Sequence, residues 1–450
     1  MNTPPPDPLA SARTVVVGGC DLNGTFRAKQ APAAGFAAAP PSVAFSDGIW
    51  AMDFEDALQP PPPGFPYWFP SWEDGYGDVL AVPDMATLRT VPWRPETAVV
   101  LGDFVFPDGR PVEISPREVL RRAIERLAAR GFRLHVAPEF EFVLLRETEA
   151  TLAQKGYRGI EALSPIGQSY GAARASADSE VLEAMRAALE EMGIATETWY
   201  PEGAPGQYEI NLAPTDPLAA ADAAFLFKQA VKEIAAARGL AASFMSRIGN
   251  GPGSGLHVHQ SLRDESGADR CADPEATDGL STPFRRVIGG QLASLRELSL
   301  LLLPTANDYK RSVENSAAGT TVTWGVDNKA VSLRLLPRGN GGFRVEHRVA
   351  GAGANVYLVL AALVAGAAHG LEREIEPPPA YDGNPYADPA AEPLPRSLEA
   401  AIDAFETSEV ARDLLGAQFA AHYAATRRWE AERQNEHVSD WELRRYLLRT

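Results

Sequence analysis

Phe132-Arg-Leu-His-Val-Ala-Pro-Glu139-Phe-Glu141-Phe-Val-Leu-Leu145 reads as one long strand. Side chains alternate across a strand, so Glu139 and Glu141 share one face while Phe140, Phe142 and Leu144 turn to a core on the other. Two carboxylates side by side repel unless a cation lies between them. The segment therefore predicts a half-buried sheet whose polar face carries charge for a purpose, or else is simply solvated.

Three further segments extend that face. In Glu202-Gly-Ala-Pro-Gly-Gln207-Tyr-Glu209-Ile-Asn211, a Gly/Pro bend precedes a strand with Gln207, Glu209 and Asn211 on one side. Alone, it fits a surface turn equally well. Asn250-Gly-Pro-Gly253-Ser-Gly255-Leu-His257-Val-His259 is a glycine-rich loop leading into a strand with two histidines on one face. Loop amides of this kind approach a carboxylate or phosphate closely, and His-x-His is a frequent ligand arrangement, although core histidines show the same pattern. The fourth runs from Arg311 through Lys329 and Arg334 to Arg344-Val-Glu346-His-Arg348, where Arg344, Glu346 and Arg348 share a face. Five cations gathered in an acidic chain suggest an anion site. Glu139, Glu141, Glu202, Glu209 and Glu346, with a histidine, could fill the shells of two or three Mg²⁺ or Mn²⁺ ions, and such ions with arginines suit transfer of a γ-phosphoryl group.

Around this centre the 450-residue chain is long enough for two domains sharing a core. Its net charge of -17 argues against nucleic acid as a partner. Cys20 and Cys271 form no disulfide framework and no zinc spacing, which fits a reducing compartment. The start of the chain lacks the basic and apolar runs of a signal peptide, and the apolar stretch from Val356 to Ala368 is short for a membrane span and reads as a buried helix. A cytoplasmic protein with no membrane partner is expected. Residues 1–12 read as a disordered, proline-rich tail, 13–111 as a small β-rich domain and 112–450 as a larger α+β domain. Ser115-Pro116-Arg117-Glu118 carries the signals of a helix start with a capping box.

In order and spacing these segments resemble glutamine synthetase, from about Arg13 to the C-terminus. The resemblance implies an α+β fold with an N-terminal β-grasp domain (13–111) and a catalytic domain (112–450) built on a curved antiparallel sheet. It implies glutamate, ATP and an amine as substrates, two to three Mg²⁺ or Mn²⁺ ions, and a homododecamer with active sites between subunits. By position, Glu141, Glu202 and Glu209 match the ligands of one metal, and Glu139, His257 and Glu346 those of a second. His259 and Arg344 match ATP-phosphate positions. Gly253 matches the glutamate-binding loop, Arg311 the arginine that holds the α-carboxylate, and Arg334 and Arg348 positions around the reacting groups; Lys329 stands where the family usually has arginine.

Other departures bear on the substrate. Ammonia-using members carry Glu-Ala-Pro in a flap where this chain has Ala317-Ala318-Gly319, and Pro252 replaces an asparagine of the glutamate loop. An Asp-Gly-Ser-Ser segment for ammonium is missing, and Phe65-Pro-Tyr67-Trp68-Phe69-Pro-Ser-Trp72 offers aromatic bulk instead, able to line an amine pocket or simply to pack. These features point to a γ-glutamyl-amine ligase similar to the polyamine, ethanolamide, alkylamide and anilide synthetases. An ammonia-using glutamine synthetase is the alternative, and a catalytically silent homologue is the alternative of another class.

Overall fold

A computed structural model describes residues 7–36, 38–339 and 341–449. The first six residues of the expected tail lie outside these; Asp7 to Ala12 make turns, with Leu9 and Ala12 packed on a small apolar cluster.

The N-terminal sheet contains β1 (Thr14–Cys20), β2 (Phe26–Pro32), β3 (Val43–Ser46), β4 (Asp78–Pro83), β5 (Arg89–Thr90) and β6 (Thr97–Val105). Its order is β2-β1-β6-β4-β3, with β5 also on β6. The unbroken apolar run of β1 follows from burial on both faces: Val15 and Val17 pack on Phe36 and Val100, while Val16 joins the main core. β1 lies parallel to β6.

The second sheet contains β7 (Phe132–Leu145), β8 (Thr196–Pro201), β9 (Gln207–Leu212), β10 (Ala241–Ser243), β11 (Leu256–Asp264), β12 (Trp324–Val326), β13 (Leu333–Pro337) and β14 (Phe343–His347). The order is β12-β13-β14-β11-β7-β9-β8, with β10 also on β7. It is antiparallel as expected, except that β12 and β13 run parallel. The central strand β7 alternates as its sequence demands. Phe140, Phe142 and Leu144 are fully buried, and Phe140 meets Phe227 of helix Pro217–Ala236 with ring centroids 5.2 Å apart. The opposite face of β7 is left to the charged groups.

Two local expectations change. Helix Pro116–Ala128 forms, but Ser115 makes no side-chain cap, and the Glu118 side chain pairs with Arg121 rather than closing a capping box. Helix Val356–Arg373 runs past Ala368 to 18 residues, long and apolar enough for a span, yet its side chains are buried among other helices. Burial, rather than length, makes it a core helix. The chain ends in helices Leu398–Thr407, Glu409–Leu415, Ala417–Glu436 and Asp440–Tyr446.

Candidate active site

The registers of five strands assemble the charged face. Glu139 of β7 stands opposite Asn211 of β9 and His257 of β11, and Glu141 opposite Glu209. On the other flank, Glu346 of β14 stands opposite His259 of β11 and Arg334 of β13. Together they line a cavity of about 840 Å³.

Glu141, Glu202 and Glu209 each place an oxygen within 4.8 Å of the others, as the resemblance implies for one metal. Glu202 reaches the strands through its bend. Arg174 donates to the carbonyls of Glu202 (2.7 Å) and Gln207 (2.9 Å), and Ser169 and the Gly203 amide donate to the Glu202 carboxylate at 3.0 Å. The Gly255 amide donates to Glu141 at 2.6 Å. None of the three carboxylates makes an ion pair among the described residues. Burial, with Glu139 next and Glu141 and Glu202 adding to it, pushes Glu209 up to about 9 even though Tyr200 donates a hydrogen bond to it. Burial and then Glu141 raise Glu202. A site that resists its own negative charge in this way fits a resident divalent cation, and its all-oxygen donors suit Mg²⁺ or Mn²⁺.

The second group is Glu139, His259 and Glu346, whose donor atoms also lie within 4.8 Å of one another. The expected group, Glu139, His257 and Glu346, shares both of its acids. His257 Nδ1 sits 2.9 Å from Glu139 and 3.8 Å from Glu346, while its Nε2 faces Arg311 at 3.4 Å. Arg344 donates to His259 Nδ1 at 3.2 Å, leaving Nε2 turned to Glu139 at 3.3 Å. Both histidines therefore border the group: His259, expected beside the phosphates, joins the triplet, and His257 lies nearer to Glu139. Burial would raise Glu139 and Glu346. His257 and His259 outweigh it at Glu139, and Arg348 with the histidines outweighs it at Glu346, so both carboxyls are held below the usual range.

Arg311 is buried, 5% exposed, and makes no ion pair with a carboxylate among the described residues; its guanidinium donates to the Val349 carbonyl at 3.1 Å. A Cβ at Gly253 would stand 2.7 Å from Arg311 Cγ, so glycine is needed there for the arginine to enter. Pro252 packs near Gly203, beside Glu202. Arg348 pairs with Glu346 and donates to the Ala317 carbonyl at 3.0 Å, and Arg334 pairs with Glu346 at 3.0 Å and with Asp327. Lys329 lines the cavity, exposed and without an ion pair among the described residues.

Sequence reasoning missed Tyr200 and Tyr170. Their rings lie 4.9 Å apart beside the first carboxylate group, with Tyr170 65% exposed at the cavity wall. Tyr200 faces Glu209 through the β8–β9 register, which a bulge interrupts. Alternation in Thr-Glu-Thr-Trp-Tyr-Pro could have placed Tyr200 on a strand face, but not opposite an acid. The aromatic segment 65–72, in contrast, lies away from this cavity. Phe69 stacks on His422 at 4.3 Å, Trp68 meets Phe106 at 5.0 Å, and Trp72 is 79% exposed.

Residues 113–446 match the model of the glutamine synthetase catalytic domain. The chain belongs to the glutamine synthetase family, and with it to the ATP-using carbon–nitrogen ligases. It is 38% identical over 439 residues to the glutamate–isopropylamine ligase of a Pseudomonas species, covering 96% of this chain and 95% of that one. It is 36% identical to the γ-glutamylethanolamide synthetase GlnA4 of Streptomyces coelicolor, over 85% of this chain and 82% of the relative. Among solved structures, ligand-free GmaS superposes with a TM-score of 0.82 at 27% identity, covering 97% of both chains.

Proposed function

We propose that the protein joins the γ-carboxylate of glutamate to an organic amine at the expense of ATP. The observation that carries this reading is Ala317, which brings a methyl group and a carbonyl, but no carboxylate, to the cavity wall beside Arg348. An ammonium ion finds no acidic flap residue there to hold it and take its proton. An organic amine has space for its substituent and aromatic surface at Tyr170. The relatives named for isopropylamine and ethanolamide support the same reading.

Glutamate's α-carboxylate is assigned to Arg311, whose buried guanidinium makes no ion pair among the described residues, with Gly253 giving the close approach. A γ-carboxylate oxygen attacks the γ-phosphorus of ATP; ADP leaves and an acyl phosphate forms. The nitrogen of the free amine then attacks the acyl carbon, phosphate leaves, and the nitrogen loses its proton. Arg344, Arg334 and Arg348 face the middle of the cavity and oppose charge on the transferring group, with Lys329 also on its lining. The two carboxylate groups would hold two to three Mg²⁺ or Mn²⁺ ions, which supply positive charge against the phosphoryl oxygens. Closure against water protects the acyl phosphate from hydrolysis.

The working protein is read as a cytoplasmic homododecamer with sites completed between subunits. The exposed Trp441, Leu443, Leu447 and Leu448 near the C-terminus are the apolar surface such an assembly would cover. Incubation with glutamate, ATP, Mg²⁺ and a panel of amines, followed by mass spectrometry, tests the reading. A γ-glutamyl amide formed with stoichiometric phosphate supports it. Product from ammonium alone contradicts it.

A further inference from the structure

The flap that carries Ala317 borders two cavities. Ala317 itself lines the first, where its carbonyl accepts from Arg348 at 3.0 Å. On either side of it in sequence, Val313 and Glu314, then Gly319 and Thr320, line a second cavity of about 490 Å³. The rest of that lining includes Leu303 and Leu394, both buried, and Arg396 just ahead of helix Leu398–Thr407.

Two opposite charges border this space, and neither is neutralised. Glu314 and Arg396 are exposed, and neither makes an ion pair or a hydrogen bond among the described residues. A carboxylate and a guanidinium left apart beside an apolar lining complement a molecule that carries both charges on an apolar body. An α-amino acid with an aliphatic side chain has that form: its ammonium faces Glu314, its carboxylate faces Arg396, and its side chain packs on Leu303 and Leu394. A cationic amine alone meets Arg396 and a simple carboxylate meets Glu314, so each half of the ligand is disfavoured by itself.

The flap is built to respond to such an occupant. Asn315 and Ala317 hold φ of 60° and 57°, in the left-handed region that is costly for residues with a side chain. Strain at two positions narrows the gap between this conformation and its alternatives, so a ligand touching the flap shifts the balance.

We propose that the second cavity binds an aliphatic α-amino acid between Glu314 and Arg396, and that its occupant sets the position of Ala317 and hence amine turnover. The site stands on the cavity; the effect on turnover rests on the ligase reading. The test is calorimetric titration of L-leucine into the full chain saturated with glutamate and Mg²⁺-ADP, which keeps the first cavity filled. Native protein, Arg396→Gln and Glu314→Gln are compared, with N-acetyl-leucine as the ligand that lacks the ammonium. One leucine per chain should bind. Each substitution, and N-acetylation, should weaken binding at least about tenfold, as loss of a charged contact does. Arg396 is exposed and has no partner to lose, so its replacement leaves the fold intact. In turnover, leucine should change KM for the best amine at least about fivefold in native protein and not in Arg396→Gln. No binding to native protein, or equal binding to Arg396→Gln, overturns the site. Binding that leaves amine kinetics unchanged overturns its control of the flap. Native protein that forms no γ-glutamyl amide overturns the ligase reading, while the titration still decides the site.

Discussion

Glu141 and Glu209 face each other across the β7–β9 ladder, and neither makes an ion pair among the described residues. Opposed like charges destabilise a sheet, and burial aggravates the cost. Glu209→Gln should therefore raise the unfolding midpoint of the metal-free protein. Loss of outer partners alone costs metal sites about 10–100-fold, so loss of a ligand should lower activity by at least about a hundredfold. Calorimetry with chelator and with Mn²⁺, beside a phosphate-release assay, checks both. Near-native activity would remove Glu209 from the metal site.

The same group predicts a pH signature. Glu209 titrates near 9 in the fold, raised by burial and by Glu139, so between the ordinary glutamate pKa and 9 the native state binds more protons than the unfolded one. Stability from this residue is present at low pH and is lost as pH rises toward 9. Glu139 and Glu346, held low, act in the opposite sense and lose their contribution as pH falls below the usual carboxylate range. In chelator, the unfolding midpoint should fall from pH 6 to pH 9, and Glu209→Gln should flatten that limb. Melting scans across the range measure it.

The aromatic segment makes a structural prediction. Phe69 is 4% exposed and stacked on His422 of helix Ala417–Glu436, whose pKa burial pushes down to about 4. Phe69→Ala should cost about 3 kcal/mol of stability. Chemical denaturation of the two proteins measures the loss; an unchanged midpoint would show that the stack does not hold this helix to the N-terminal sheet.

Much of the site was legible because it depends on period-2 alternation. Phe140 and Phe142 announce the buried face of β7, and Glu139 and Glu141 then have only the other face. Glu202 and Glu209 joined Glu141 through the family resemblance. Register is a different matter. Which histidine lies nearer Glu346, and which residue meets Glu209 from β8, depend on pairings between strands far apart in sequence. So both histidines stand beside the second carboxylate group where one was expected, and Tyr200 passed unnoticed. The segment 65–72 announced aromatic bulk but not its partner, since His422 lies more than 350 positions on.

The central claim is that Ala317 turns the site from ammonium to organic amines. Its φ of 57° is left-handed, so the flap already bears the strain of a side chain there, and Ala317→Glu changes charge and space with little further backbone cost. The most direct measurement is steady-state kcat/KM for ammonium, methylamine, isopropylamine, ethanolamine and putrescine on the native protein and on Ala317→Glu. The best organic amine should exceed ammonium by at least tenfold, about 1.4 kcal/mol of transition-state binding, and Ala317→Glu should narrow that gap. Ammonium as the best substrate of the native protein would contradict the account.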